Sequence, residues 1–210
     1  MPVKPLPEKV VRRLTEVIAR HGIGILNQLH AADSRMTMPW TSFQYMELGG
    51  RVRVVEVRGF GNVALKFSHD GRALEVIGTV KSLVQRHNDK WKGKRLPYVL
   101  LMPHGHAVHE SVIAMQYLDR PTASELMRRA SLSTVIRSSR LLRGIFAGGR
   151  MHQNRVGDAL HEAQQAGLSD EKLRECCRLA SENSGVDQSH LLFVRMQKRR
   201  PVFVPLFDLI

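Results

Sequence analysis

Residues 58–78 read RGFGNVALKFSHDGRALEVIG, and this stretch decides how the first half of the chain is interpreted. The segment VALKF has the apolar and aromatic composition of a β-strand, whereas RALEVIG begins a run with helical spacing. Lys66 lies inside the strand among apolar neighbours, and Glu75 follows on the helix. The first question is therefore why an ammonium group is placed there, with a carboxylate on the next element.

The surrounding sequence predicts the order α-β-β-α-β-β for the first half. Apolar spacing predicts a helix over residues 8–31, with a break at His21-Gly22. The alternating RVRVVEV and the turn GFGN predict a hairpin within 45–67, and a second helix follows over 72–88. The segments YVLLMPHG and ESVIAMQYLD predict two further strands, separated by a turn of glycine and histidine.

The second half is predicted to be mostly helical. Thr122 or Ser124 caps a helix that has Glu125 in its first turn. Further helices are expected over 132–147 and 155–182, and the latter includes the amphipathic stretch MHQNRVGDALHEAQQAG. The segments HLLFV and PVFVPLF then predict a short strand pair around the basic turn RMQKRR.

The composition indicates a basic protein with a sizeable core. The chain has 210 residues and a formal net charge of +13, which favours phosphate-bearing partners or an acidic protein. Only two basic clusters are dense, Lys90–Arg95 and Lys198–Arg200. Aromatic residues are scarce at 6%, so a base-stacking platform for nucleic acid is not evident.

No apolar run approaches the roughly 18 residues that a membrane-spanning helix needs, and the N-terminus lacks the apolar core of a signal peptide. We therefore expect a cytoplasmic protein, with peripheral contact at the inner membrane and secretion by a signal-independent route left open. Cys176 and Cys177 are adjacent and predict buried thiols rather than a disulfide framework. His104, His106 and His109 are interpreted as a surface turn rather than a metal site.

Taken together, these segments resemble the protein-kinase-like superfamily. The stretch GGRVRVVEVRGFGNVALKF is similar to its nucleotide-binding hairpin and third strand, with Lys66 at the lysine of V-A-I-K and Gly49-Gly50 left from the glycine-rich loop. The resemblance implies an α+β, two-lobed fold, with a small antiparallel β lobe holding one main helix and a reduced helical lobe. It divides the chain into an N-terminal helical extension (1–44), an N-lobe (45–118) and a C-lobe (119–210).

The resemblance also implies roles for particular residues. Lys66 would hold the phosphates of ATP and Glu75 would orient its ammonium group. The alternative is that Lys66 extends to solvent from an edge strand, while Glu75 is merely an acidic charge at a helix N-terminus. Met115 would be the gatekeeper, and the hinge that meets adenine would comprise Gln116, Tyr117 and Leu118.

The catalytic end looks most like the lipopolysaccharide-core kinase branch, through SHLLF and LFDLI. That match implies that His190 and Asp208 hold Mg²⁺ and that Asp187 orients or deprotonates the acceptor hydroxyl. Two alternatives remain open here. Asp187 is a turn-forming aspartate in one of them, and Asp208 is a solvated acid in the other.

Three functions follow as expectations. The first is a minimal bacterial kinase that transfers the γ-phosphoryl group of ATP to a lipopolysaccharide-core sugar or, as in small secreted effector kinases, to a protein hydroxyl. The second is a pseudokinase that binds nucleotide or a partner protein with little transfer. The third is a basic nucleic-acid-binding protein, which the scarcity of aromatic residues disfavours.

Overall fold

The structure is a computed structural model of the 210-residue chain. It describes residues 3–22, 36–37, 43–44, 51–57, 60–67, 71–128 and 150–207. Gly49, Gly50 and Asp208 lie outside the described residues, as does the helix predicted over 132–147.

The described elements follow the predicted alternation of helices and strands. The helices are α1 (Glu8–His21), α2 (Ala73–Lys90), α3 (Arg150–Gln165) and α4 (Asp170–Ser184). The strands are β1 (Met36–Thr37), β2 (Phe43–Gln44), β3 (Arg51–Val57), β4 (Gly61–Phe67), β5 (Val99–Leu100), β6 (Gly105–His109), β7 (Val112–Gln116), β8 (Leu191–Gln197) and β9 (Arg200–Pro205). The α+β class expected from the sequence is confirmed.

These elements form two compact units. The six-stranded unit comprises the described residues within 2–81 and 103–118, together with Phe207. The three-stranded unit comprises the described residues within 82–102 and 119–206. Along the chain, the assignment to units changes after residues 81, 102 and 118, so residues 82–102 belong to the three-stranded unit.

The sheet of the six-stranded unit is antiparallel, in the order β1-β3-β4-β7-β6, with β2 also paired to β3. β4 therefore has a hydrogen-bonded neighbour on each side. The β3–β4 hairpin predicted from RVRVVEV and VALKF is confirmed, with Val54 opposite Ala64. The prediction of a surface turn at the histidines is wrong for two of them, because His106 and His109 lie in strand β6.

Each face of this sheet packs against a helix. One face meets the apolar stripe of α1, in which Val10, Leu14 and Ile18 are buried against Val63 and Leu65. That spacing of four residues places the α1 side chains on one side of the helix. The opposite face meets α2. Its buried cluster consists of Ala73, Val76, Ile77, Val80, Ile113 and Phe207. Side chains that alternate along β4 therefore enter two different cores.

The three-stranded unit is built on the order β5-β9-β8. The predicted β8–β9 pair is confirmed, and Phe193 and Phe203 pack edge to face in its core at 6.2 Å between ring centroids. β5 differs from expectation, because it runs parallel to β9, with Val99 opposite Val202. A local pattern identifies a strand, but its partner depends on which distant strand has an edge to pair with.

A capping box begins the helix that starts at residue 123. The Thr122 hydroxyl accepts from the Glu125 backbone N–H at 3.2 Å, and the Glu125 carboxylate accepts from the Thr122 N–H at 2.8 Å. Of the two predicted caps, Thr122 is therefore the one used. On α3, buried Val156, Ala159 and Ala163 confirm the amphipathic helix predicted for this stretch. Within the described ranges, no helix combines the length and apolarity required to cross a bilayer.

Candidate functional site

Lys66 lies on the central strand of the larger sheet. It is opposite Val52 on β3 and opposite Ile113 on β7, so it does not occupy an edge strand. Side chains directly opposite each other in antiparallel strands share a face. Ile113 belongs to the cluster beneath α2, and Lys66 therefore lies on that same face. The edge-strand alternative for Lys66 does not fit this pairing.

The Lys66 ammonium group is partly buried and has a defined contact. Its Nζ donates a hydrogen bond of 2.7 Å to the backbone carbonyl of Phe207. Desolvation by burial lowers the pKa of Lys66 from 10.5 to about 8, because the charged form loses hydration. The ammonium group of Lys66 is held on a rigid strand, and its charge is only partly hydrated. Such a group is suited to bind an anion.

Phe207 reaches this position because Gly105 leaves room for its ring. A Cβ at Gly105 would overlap the ring of Phe207, with the Cζ atom only 2.6 Å away. The Phe207 side chain is itself buried, at 1% exposure. Gly105 therefore positions the chain segment whose carbonyl contacts Lys66. Neither residue was predicted from the sequence. The acceptor on Phe207 is a backbone carbonyl, and the close packing of its ring on Gly105 is not visible in the residue types.

Glu75 does not form the expected pair with Lys66. It lies in the first turn of α2, and its carboxylate is 3.9 Å from Arg72, with both side chains largely exposed. The buried positions of α2 run through Ala73, Val76 and Ile77, a face that excludes Glu75. The same spacing was visible in the sequence and could have placed Glu75 on the outer face.

The predicted gatekeeper shares the Lys66 face. Met115 is opposite Ala64, two residues before Lys66, and it packs against the α2 cluster. The structure therefore brings Lys66 and Met115 to one face of adjacent strands, together with Phe207.

The predicted hinge has several polar groups already engaged. The Tyr117 backbone N–H donates to the Asn62 carbonyl at 3.0 Å, which extends the β4–β7 pairing by one residue. The side-chain oxygen of Gln116 accepts from the Lys4 N–H at 2.8 Å. The first contact removes the Tyr117 N–H from the groups that could bind adenine.

Asp187 has a structural role in the three-stranded unit. It caps the short 3-10 helix Gln188–His190, and its Oδ1 accepts from the Ser189 N–H at 2.8 Å and from the Ser189 hydroxyl at 2.6 Å. These hydrogen bonds lower the pKa of Asp187, first through the hydroxyl and then through the backbone N–H. The predicted turn-forming role is thus present, and the lowered basicity weakens Asp187 as a general base.

The two residues expected to hold Mg²⁺ are not equally suited to it. His190 is buried at 7% exposure, and its carbonyl accepts from the Leu206 N–H at 2.7 Å. Mg²⁺ prefers oxygen ligands, so an imidazole fits it poorly, whereas the carboxylate of Asp208 has the right chemistry. No group of three or more His, Cys, Asp or Glu side chains assembles a metal site within the described part of the chain.

The two cysteines are buried thiols, as predicted. Neither Cys176 nor Cys177 forms a disulfide. Burial raises the pKa of Cys176 to about 11 and raises that of Cys177 further above its ordinary value. Thiolate is the reactive form, so burial disfavours the nucleophilic form of both cysteines at neutral pH.

Comparisons with known proteins give structural neighbours of low similarity. The kinase domain of PknI from Mycobacterium tuberculosis is 17% identical, with a TM-score of 0.31, and 84% of this chain covers 61% of that domain. A macrolide 2'-phosphotransferase type I is 14% identical, with a TM-score of 0.35, and 97% of this chain covers 72% of it. The chain thus spans about three-fifths of the PknI domain. No protein-family model matches the sequence, and no curated protein does.

Proposed function

We propose that the chain is a kinase-like phosphotransferase that binds ATP with Mg²⁺ on the α2 face of the six-stranded unit. The observation that carries the proposal is the Lys66 ammonium group, held on a central strand and desolvated beside the Phe207 carbonyl. Phosphoryl transfer depends mainly on positioned positive charge, and a lysine on a rigid strand supplies it to the phosphates.

The residues around Lys66 suggest how the nucleotide is held. Met115 lines the same face and would contact the base, and the Leu118 backbone would donate to or accept from adenine. Asp208 follows Phe207 directly in the sequence, so its carboxylate is the candidate ligand for the Mg²⁺ that bridges the phosphates. Bound Mg²⁺ would neutralise charge on the transferring phosphoryl group.

Nucleotide binding is tested by thermal unfolding in the presence of ATP and Mg²⁺. A ligand at about 100 times its dissociation constant stabilises the folded state by roughly 2.7 kcal/mol, so the wild type is expected to unfold at a higher temperature. Lys66→Met is expected to abolish that shift. Lys81→Met removes the same charge from an exposed position on α2 and serves as the matched control. A wild type that ATP does not stabilise would overturn the proposal.

Transfer is tested separately, with γ-labelled ATP and two acceptor classes, protein hydroxyls and lipopolysaccharide-core saccharides. The basic surface favours an anionic acceptor or an acidic protein partner. Label is expected on one acceptor class with the wild type and on neither with Lys66→Met. If transfer persists in Asp187→Asn, the assignment of Asp187 as the group that activates the acceptor is wrong.

A pseudokinase is the second candidate, and one observation favours it. Asp187 caps the 3-10 helix and Glu75 lies 3.9 Å from Arg72, and these contacts support a protein with little transfer activity. This candidate predicts ATP-dependent stabilisation without label on any acceptor.

A further inference from the structure

The two dense basic clusters of the sequence meet in the three-stranded unit. β5 runs parallel to β9, with Val99 opposite Val202 and Leu100 opposite Phe203. In a parallel pair, the residues that precede both strands lie at the same end of the sheet. The segment before β5 contains Lys94 and Arg95, and the turn before β9 contains Lys198. Sequence-distant cations are therefore brought together by strand pairing.

A cleft lies at this end of the sheet. It has a volume of about 450 Å³ and is lined by Gly93, Lys94, Arg95, Lys198 and Arg200. Four of its five lining residues are cationic, and none is acidic. The volume is that of a small-molecule site, since ligand pockets commonly measure about 300–1,000 Å³. It exceeds what a single inorganic phosphate needs.

The cations of the cleft carry uncompensated charge. Across the described ranges, no ion pair involves Lys94, Arg95, Lys198 or Arg200. Elsewhere in the same unit an arginine is neutralised, since Arg178 pairs with both Glu175 and Glu182. Like charges that lie close together repel each other, so a bound anion would relieve the repulsion among these cations.

The turn that supplies Lys198 has unfavourable backbone geometry. Lys198 and Arg199 have φ angles of 48° and 63°, and they connect the paired residues Gln197 and Arg200. Two-residue hairpin turns with both central φ angles positive favour asparagine and glycine. Lysine and arginine carry backbone strain in this conformation, and of the two residues Lys198 lines the cleft, which motivates a binding role for its side chain.

We propose that this cleft binds a small ligand that carries two phosphate groups. Each phosphate ester has a charge of about −1.5 to −2 at neutral pH, so two of them match the four cations. Arginine contributes paired donors to phosphate oxygens, and lysine contributes a point charge. The site is distinct from the face around Lys66, and the proposal does not depend on the proposed function.

The limited size of the cleft, with five lining residues, argues for a compact ligand rather than a nucleic-acid strand. Single-stranded nucleic acid binds along extended grooves with exposed aromatic faces. The aromatic residue adjacent to the cleft is Trp91, whose ring already meets Lys90 and Lys94 at 5.5 and 5.0 Å from its centroid. Because Lys94 lines the cleft, ligand binding is expected to change Trp91 fluorescence.

The test is a titration of the full chain with inorganic pyrophosphate, followed by calorimetry and by tryptophan fluorescence. Pyrophosphate is expected to bind more tightly than inorganic phosphate, because it spans both cationic sides of the cleft. The double variant Lys94→Ala/Lys198→Ala is expected to weaken pyrophosphate binding by about a hundredfold, since each charged hydrogen bond contributes roughly a factor of ten or more.

The matched control is Lys9→Ala/Lys172→Ala, which removes two exposed lysines outside the cleft and is expected to bind like the wild type. Equal weakening in both double variants would show a general charge effect and overturn the proposal. Circular dichroism verifies that each variant is folded. Arg95→Ala, a single exposed change, replaces the cleft double variant if that chain does not fold, with at least a tenfold loss expected.

A competition experiment with lipid vesicles distinguishes a phosphorylated lipid headgroup from a soluble ligand. If vesicles containing a phosphatidylinositol bisphosphate bind the wild type and pyrophosphate competes with them, the cleft recognises a bisphosphorylated lipid headgroup. If pyrophosphate binds and those vesicles do not, the ligand is a soluble bisphosphate. A single-stranded oligonucleotide that binds much more tightly than pyrophosphate, with steep salt dependence, would overturn the proposal in favour of a nucleic-acid site.

Discussion

The Lys66 ammonium group donates a 2.7 Å hydrogen bond to the carbonyl of Phe207, a residue 141 positions further along the chain. The contact fixes the end of the described chain against the central strand of the larger sheet. It also leaves the ammonium group partly desolvated, with a pKa lowered to about 8. The charge that would bind phosphate is therefore maintained at a cost to the stability of the fold.

This cost has a pH signature. The folded-state pKa of Lys66 lies near 8, below its ordinary value of 10.5, so the unfolded state binds more protons between these pH values. The free energy of unfolding is therefore expected to rise with pH across this window, by up to about 3 kcal/mol. Urea unfolding at several pH values measures it. Lys66→Met is expected to lack this rise and Lys81→Met to retain it. If the free energy of unfolding has the same pH dependence in all three proteins, the lowered pKa does not belong to Lys66.

ATP affinity is also expected to depend on the titration of Lys66, but it is expected to fall as the pH rises. Below pH 8 the Lys66 ammonium group of the free protein is protonated and attracts phosphate, whereas above it the amine is neutral. Affinity is therefore expected to fall by up to about tenfold for each pH unit above 8, until the higher pKa of the complex is reached. Calorimetric titration with ATP at several pH values checks this. An affinity that stays constant above pH 8 would mean that Lys66 does not contact the phosphates.

Gly105→Ala is expected to disturb the Lys66 contact indirectly. The added Cβ would overlap the ring of Phe207, and overpacking of a core costs about 1–3 kcal/mol. Gly78→Ala is the control, because nothing lies within 4 Å of a Cβ at that position on α2. It is expected to stabilise the protein by about 0.5–1 kcal/mol through helix propensity. Denaturant unfolding compares the two variants, and a neutral Gly105→Ala would show that Phe207 does not pack against this strand.

The β8–β9 turn offers a gain in stability. Replacing Lys198 and Arg199 with asparagine and glycine supplies residues that accept positive φ angles. The double variant is expected to raise the free energy of unfolding by about 1–2 kcal/mol. Thermal and urea unfolding measure the change. A loss of stability would indicate that the lysine and arginine side chains have stabilising contacts that outweigh the backbone strain.

The cap of the helix that starts at residue 123 is expected to be specific to Thr122. Its hydroxyl accepts from the Glu125 N–H, and removal of a capping hydroxyl costs about 1–2 kcal/mol. Thr122→Ala is therefore expected to lower the free energy of unfolding by about that amount, as urea unfolding measures. Ser124→Ala leaves the bond intact and is expected to change the free energy of unfolding by less than about 0.5 kcal/mol. Equal losses in the two variants would contradict the assignment of Thr122 as the cap.

Much of the secondary structure was predictable because its signals are local. The alternation in RVRVVEV predicted β3, and the apolar spacing of α1 predicted its buried face. Helix α2 extended past the predicted end to Lys90, because no proline or capping glycine stops it at residue 88. The sequence predicted that β5 is a strand, but it did not predict which strand β5 pairs with. Pairing with β9 depends on contacts between residues far apart in the sequence.

The candidate site was predictable only in part. The sequence marked Lys66 as an unusual charge in an apolar strand, and the sheet placed it on the central strand with Met115 on the same face. The resemblance to the kinase-like superfamily implied Glu75 as its partner, yet the periodicity of α2 places Glu75 on the outer face, 3.9 Å from Arg72. The carbonyl that contacts Lys66 belongs to Phe207, and backbone groups leave no trace in residue types.

By itself, the sequence determined where strands and helices form and which residues carry unusual charge, because propensity, periodicity and charge are properties of short segments. Only the tertiary structure decided which of those segments meet. It placed the Phe207 carbonyl against Lys66, and it brought Lys94 beside Lys198 through the β5–β9 pairing. Both outcomes depend on strand order and register, which are determined by burial over the whole sheet rather than by any one stretch of sequence.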